Sequence, residues 1–439
     1  MSLRPFVLLL GTLALGACVA EPDYYTTPGV YGGAYGTVQP PGASPYAAPS
    51  PLAEQPGAPA EPTSALGRVA ILLPLSGPNG ERAAGLLKAA QLALEAPGGP
   101  ALDIKDTGGT PDGAAAAAQQ AAAARDGLIL GPLSAGETAA AAGPARAAGI
   151  PVLAFTSDPA QARPGVWTLG LTPVQQVRRL VIAAQRQGRT RFAALLPDDE
   201  FGHAMANALN EAAGPLGLQP PKVSIYTGGM AGMNPAVRDL ADYADRRGPL
   251  DEQIRAARAR GDAEGNQEAA ELARRSVPPP PFDALLLADT GEKLAELGTL
   301  LPYYDIRSPS EVRILGPALW AAPQARRGAG ALLEGAWYAA PDPSARGGFE
   351  QRYSQKYGTP PPPLSDLAYD AASIARVVAQ QGGGVAGSLT RPQGFLGADG
   401  VFALQPDGHV RRGLAVFEIQ HGTPTVIEPA PQSLANSGA

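Results

Sequence analysis

The sequence has 439 residues, enough for one large two-lobed unit or for two domains. It is rich in glycine and alanine, aromatic residues make up 6%, and the net charge is −6. No Lys/Arg stripe runs along any predicted helix and the pairs Arg189/Arg191 and Arg411/Arg412 read as surface, so the charge pattern excludes a nucleic-acid footprint.

Residues 1–17 follow a signal-peptide plan: Arg4 in the first five residues, then a small, apolar run over 6–17 that is too short for a membrane span. The run ends in 15-LGAC-18, which resembles the lipobox of bacterial lipoproteins. The resemblance implies cleavage before Cys18 and lipidation of its thiol. Cys18 is the only cysteine, so no internal disulfide is available. Val19 and Ala20 follow it in place of aspartate, which under the usual sorting rule implies anchoring at the periplasmic face of the outer membrane. The rest of 18–67 is rich in Pro, Gly and Tyr and lacks apolar periodicity. It buries too little to offset its ordering entropy and reads as a disordered tether with a reach of roughly 40 Å. Its tyrosines, Tyr24, Tyr25, Tyr31, Tyr35 and Tyr46, suit a plain spacer, with contact to a partner or the cell wall as the alternative.

From Arg68 the texture changes. Strand 69-VAILLPL-75 leads through the loop 76-SGPNG-80 into a helix reaching Glu95. Next come strand 102–106, an alanine-rich helix over 112–125, strand 127–131, a helix over 134–147 and strand 151–155. The pattern restarts with a helix over 172–187, strand 192–197, a helix over 201–213 and strand 222–226. A charged block over 248–276 predicts an exposed helical hairpin or loop, broken at Gly261 and Gly265. Strand 284–289, a helix over 291–301 and strand 312–317 follow, then an apolar run over 332–340 and helices over 347–357 and 364–381. Near the end, Asp399-Gly400 and Asp407-Gly408 mark hairpin turns. Short strands alternating with helices of ten to fifteen residues predict an α/β fold with parallel sheets covered on both faces.

Five segments in this order carry a family resemblance: 69-VAILLPLSGPNGERAAGLLKAAQLAL-94, 131-GPLSAGETAAAAGPARAAGIPVLAFTS-157, 198-DDEFGHAMANAL-209, 315-LGPALW-320 and 394-GFLGADGVFALQPDG-408. Together they resemble the two-lobed type I periplasmic-binding-protein fold of the branched-chain amino-acid binding proteins. More closely, they are similar to lipoproteins known as penicillin-binding protein activators. The resemblance spans about 68–420 and implies two lobes joined by three crossovers, expected near Gly170, near Trp337 and over 384–390. Lobe one is then 68–170 plus 337–385, lobe two 171–336 plus 386–420, and 421–439 a flexible tail.

The resemblance also implies an interlobe ligand cleft. Ser134 and Thr156 match the residues that hold a ligand carboxylate, with the Ala154 backbone beside them, and Phe201 matches the aromatic cover from lobe two; Ser134 equally suits a plain N-cap of its helix, which needs no ligand. Ser76 lies in the first cleft loop, Trp320 is a candidate lining residue or a buried core residue, and Asp106 either faces the cleft or caps its turn. The acidic group that neutralises a ligand ammonium has no match: Ala318 or Leu319 occupies its position, and neither Asp289 nor Glu334 is an obvious substitute. A free branched-chain amino acid is therefore not the expected ligand; a small anion or no ligand is.

Nothing in the sequence predicts catalysis, a metal site or a cofactor. His203, His409 and His421 lack metal-ligand spacing, no phosphate loop or nucleophile elbow is present, and Asp198, Asp199 and Glu200 suit a wet helix start. Two functions remain. One is a regulator that contacts a penicillin-binding protein; the other is a solute receptor serving an ABC permease or a sensor. The activators of enteric bacteria carry a helical-repeat domain ahead of the binding fold, whereas here the tether leads straight to Arg68.

Overall fold

Strand β1 (Arg68–Leu73) sets the pattern of the first lobe. Val69, Ile71 and Leu73 enter one core, while Ala70 and Leu72 enter another on the opposite face. Both faces are covered, so the strand is apolar throughout rather than alternating. The computed structural model describes residues 66–382 and 384–434, which leaves the leader, Cys18 and nearly all of the tether outside the described residues.

With β2 (Ala101–Asp106), β3 (Ile129–Leu130), β4 (Val152–Ala154) and β5 (Val166–Thr168), β1 forms an all-parallel sheet in the order β2-β1-β3-β4-β5. Helices α1 (Gly80–Leu94), α2 (Pro111–Ala123) and α3 (Ala135–Ala147) connect its strands. Ala114, Ala117, Ala118 and Ala121 of α2 share a core with Ala141, Ala142 and Ala145 of α3. Alanine lets these helices sit close together at no cost in side-chain entropy.

The second lobe begins with α4 (Pro173–Arg186), whose start is fixed by Pro173 and a reciprocal Thr172–Gln175 cap. There follow β6 (Phe192–Pro197), α5 (Glu200–Ala213), β7 (Lys222–Tyr226), α6 (Met230–Leu240), α7 (Tyr243–Ala259), α8 (Ala263–Ala273), β8 (Ala284–Leu287), α9 (Gly291–Tyr303), β9 (Arg313–Gly316), α10 (Gly330–Leu333) and β10 (Trp337–Ala340). The charged block is the hairpin α7–α8, closed on Ile254, Ala257, Ala269 and Leu272. The chain then forms α11 (Pro343–Tyr357), α12 (Ser365–Gln381) and α13 (Val385–Leu389), followed by β11 (Phe395–Gly397), β12 (Gly400–Leu404), β13 (Val410–Arg412), β14 (Ala415–Gln420) and β15 (Thr423–Glu428). The second sheet runs β15-β14-β10-β9-β8-β6-β7, parallel from β10 to β7 and antiparallel at β14 and β15. Again both faces are covered: Ala193 and Leu195 enter one core, Ala194 and Leu196 the other.

Three features differ from the sequence-based boundaries. Trp337–Ala340 belongs to the second sheet rather than to lobe one, and the chain crosses after it, at Pro341 and Asp342. The hairpin strands β11–β13 form their own antiparallel sheet, and Phe395, Phe402, Leu404 and Val410 pack into the core of lobe one, not lobe two. The last crossing therefore falls near Gly413 instead of 384–390, since β14 is back in the second sheet. Finally, 423–428 is not a loose tail: it is β15, paired antiparallel with β14, and Ala430 beyond it enters the core of lobe two.

Candidate functional site

In both sheets the parallel strands end in the loops named from sequence, the edge where ligands of open α/β sheets bind. Lobe one supplies Asp106 at the end of β2 and the loops after β1, β3 and β4, which carry Ser76, Ser134 and Thr156. Lobe two supplies those after β6, β8 and β9, with Phe201, Asp289 and Ala318.

Ser134 caps α3, and the cap is reciprocal. Its Oγ accepts the Glu137 N–H at 3.3 Å, while the Glu137 carboxylate accepts the Ser134 N–H at 3.2 Å and the Ser134 hydroxyl proton at 2.6 Å. The other Glu137 oxygen accepts the Thr107 hydroxyl at 2.5 Å. Glu137 and Thr107 are each 2% exposed. The serine proton is therefore donated to a buried carboxylate of the chain itself, while Ser134 stays exposed. Glu137 is the residue that sequence reading missed, although 134-SAGE-137 carries the capping-box pattern that announces it.

Asp106 accepts the N–H groups of Gly108 and Leu75, each at 2.9 Å, and that of Ser76 at 3.2 Å. These bonds, Gly108's foremost, hold its carboxyl below the usual range. Asp106 thus ties the loops after β1 and β2 together, with Ser76 exposed beside it. Thr156 is buried and its hydroxyl oxygen accepts the Asp158 N–H at 3.1 Å. The Ala154 carbonyl accepts the Leu169 N–H at 2.8 Å, so this group serves the sheet edge.

In lobe two, Phe201 is half-buried in the first turn of α5. Trp320 is not a cleft residue. It is fully buried, its indole N–H donates to the Asp289 carbonyl at 2.9 Å, and its ring packs so closely under Gly316 that a Cβ there would lie 2.3 Å away. Trp337 is also core, donating to Glu418 at 2.8 Å with the Arg313 guanidinium over its ring. At the position of the missing acid, the Ala318 N–H donates to Gln176 Oε1 at 2.8 Å, and Leu319 beside it is exposed. Asp289 is only 4% exposed. One of its oxygens accepts the Tyr226 hydroxyl at 2.6 Å, and the other is buried with no partner among the described residues. Burial pushes both the Asp289 carboxyl and the Tyr226 phenol up.

The histidines sit on separate elements, and His203 pairs with Asp198 at 2.7 Å on the surface. Among the described residues no group of three or more His, Cys, Asp or Glu is placed to hold a metal ion.

Several solved structures share the fold. A putative branched-chain amino acid ABC transporter protein from Rhodospirillum rubrum is 21% identical, with a TM-score of 0.61 over 82% of this chain and 99% of that one. The C-domain of LpoA from Haemophilus influenzae, described as a regulator of PBP1A, is 18% identical, with a TM-score of 0.57 over 82% of this chain and all of that one. Against full-length LpoA of the same organism the identity is 17% and the TM-score 0.56, covering 83% of this chain and 59% of that one. No protein of curated function matches the sequence. At these identities the likeness is one of fold, but the family model described as periplasmic binding protein matches residues 68–423. With both lobes and their loops accounted for, the chain belongs to the periplasmic binding protein family.

Proposed function

We propose that this chain is a non-catalytic, lipid-anchored periplasmic protein that works by recognising a protein, and that its partner belongs to the peptidoglycan synthesis machinery. The observation that carries this reading is the Ser134–Glu137 cap. The hydroxyl that should hold a ligand carboxylate donates instead to a buried carboxylate at 2.6 Å. A second carboxylate at this corner would meet like charge in a partly desolvated site. At the opposite loop, Ala318 offers an ammonium no counter-charge, and burying an unpaired charge costs several kcal/mol. Neither end of an amino-acid zwitterion has its anchor.

The fold likeness to the C-domain of LpoA, described as a regulator of PBP1A, supports the choice of partner. In this reading Cys18 anchors the chain to the outer membrane, with residues 19–65 between the anchor and the binding fold. Cross-linking the native protein in cells and identifying the captured species tests it: a class A penicillin-binding protein is the expected product, and a permease overturns the reading.

Asp289 favours a second reading, a receptor for a solute. A buried acid in the loop after β8, with one oxygen unpartnered among the described residues, suits a ligand that is cationic without being a zwitterion. A Tm rise with a small cation that is lost in Asp289→Asn supports it; no rise with any cation removes it.

A further inference from the structure

A cavity of about 270 Å³ lies where the crossovers meet. Its walls come from both lobes: Thr168 at the end of β5, Gln175, Arg178 and Arg179 on α4, and Arg411 and Arg412 at the end of β13. Neither Ser134, Thr156 nor Phe201 lines it. The walls are tied across the crossovers by the Trp167 indole on the Gln405 carbonyl at 2.6 Å, the Gln175 amide on the Val410 carbonyl at 2.5 Å and the Arg412 guanidinium on the Leu169 carbonyl at 3.0 Å.

Three residues on these walls, Thr168, Arg411 and Arg412, carry buried donors without an acceptor among the described residues. Thr168 is 1% exposed, and its hydroxyl has no partner among the described residues. Arg412 is 5% exposed, and neither its Nε nor its Nη1 has a hydrogen-bond acceptor among the described residues; Nη1 forms a long ion pair with the Asp370 carboxyl at 3.7 Å. Arg411 gives one nitrogen to the Leu434 carbonyl at 3.0 Å, while its buried Nε has none. Arg179, Arg411 and Arg412 bring guanidinium charge to the cavity; Arg412 faces Asp370, Arg411 has no carboxylate partner among the described residues, and the lining acids Glu211 and Asp407 are exposed. Glu428 offsets Arg179 from behind at 2.9 Å. Buried donors are nearly always satisfied in folded proteins, so a cluster of orphan donors beside guanidinium charge calls for an acceptor-rich anion.

We propose that this cavity is a second binding site, separate from the interlobe loops, for a small oxyanion carrying two negative charges, of the phosphate, phosphomonoester or dicarboxylate class. Such a group brings several acceptor oxygens, no competing donors and the charge that paired guanidinium groups bind best. The volume falls just below the range of about 300–1,000 Å³ typical of drug-sized ligands, which suits a compact anion. Its occupant touches β5, α4 and β13 at once and so holds the crossovers in one arrangement.

The test uses the full-length protein at constant ionic strength, with inorganic phosphate, succinate and chloride as probes. Phosphate or succinate is expected to raise Tm by a few degrees at saturation while chloride does not, and which of the two does so separates a tetrahedral from a dicarboxylate ligand. Arg411→Gln is expected to weaken binding at least tenfold, and Thr168→Val to weaken it without loss of folding. Amide exchange of the unaltered protein is expected to slow around 168–179 and 405–412 on adding the anion. A shift that survives both substitutions, protection elsewhere in the chain, or no response to either dianion overturns the proposal.

Discussion

The α3 corner and the crossover cavity are both places where the chain gathers hydrogen-bond donors, and they treat them in opposite ways. At the corner, Glu137 takes up the protons of Ser134 and Thr107, and Asp106 takes three backbone N–H groups. At the cavity, Thr168, Arg411 and Arg412 keep donors that no acceptor among the described residues reaches. At the position that the fold leads one to read as a ligand site the donors already bond the chain's own acids, while at the crossover cavity several buried donors do not. Residue type at a homologous position is thus weaker guidance than the partner its proton has already found.

The contrast can be attacked at several points. The largest effect is expected from Trp320→Ala. A fully buried indole with a satisfied N–H should cost about 3–5 kcal/mol in a denaturant titration. A near-neutral result would return Trp320 to the cleft lining. Next is Glu137→Ala, which orphans the Thr107 and Ser134 donors together and should cost about 1–3 kcal/mol. The same variant should gain affinity for small carboxylates, because the Ser134 proton is released; calorimetry with acetate and isoleucine checks it, and unchanged affinity would show that the cap does not block the corner.

Asp370 offers a test through pH. It is 1% exposed, it accepts the Ala398 N–H at 2.5 Å, and burial foremost pushes its carboxyl up to about 8. In the unfolded chain the same group ionises near 3.9, so between roughly pH 4 and 8 the folded state binds more protons than the unfolded one. Its contribution to stability is complete below that window and is lost as pH rises through it. Asp370→Asn should flatten the fall in stability between pH 5 and 8; an unchanged slope would mean that the carboxyl stays ionised against Arg412. The smallest effect is expected from Thr168→Val, which removes an orphan hydroxyl and should change anion-free stability by about 1 kcal/mol or less.

Much of this architecture was legible in the sequence. Continuous apolar strands such as 192-FAALLP-197, alternating with helices, already dictate parallel sheets covered on both faces, and Asp399-Gly400 marks a hairpin that forms. What was not legible is sheet membership and long-range pairing. The run 337-WYAA-340 is apolar on both faces and carries no mark of which lobe it joins. Strand β15 contains Pro424 and two threonines and reads as loop until its partner β14 is known. Arg412 read as surface because its carboxyl neighbour, Asp370, comes from a separate helix. Glu137 was within reach, since its capping pattern is local; the consequence for Ser134 needed the side-chain geometry.

The central claim is that the α3 corner, where Ser134 already donates to Glu137, does not receive an amino acid. Titrating leucine, isoleucine and valine into the purified protein, with Tm and heat of binding as readouts, tests it most directly. The account predicts no shift and no heat at millimolar ligand. A saturable response that Ser134→Ala abolishes would contradict it.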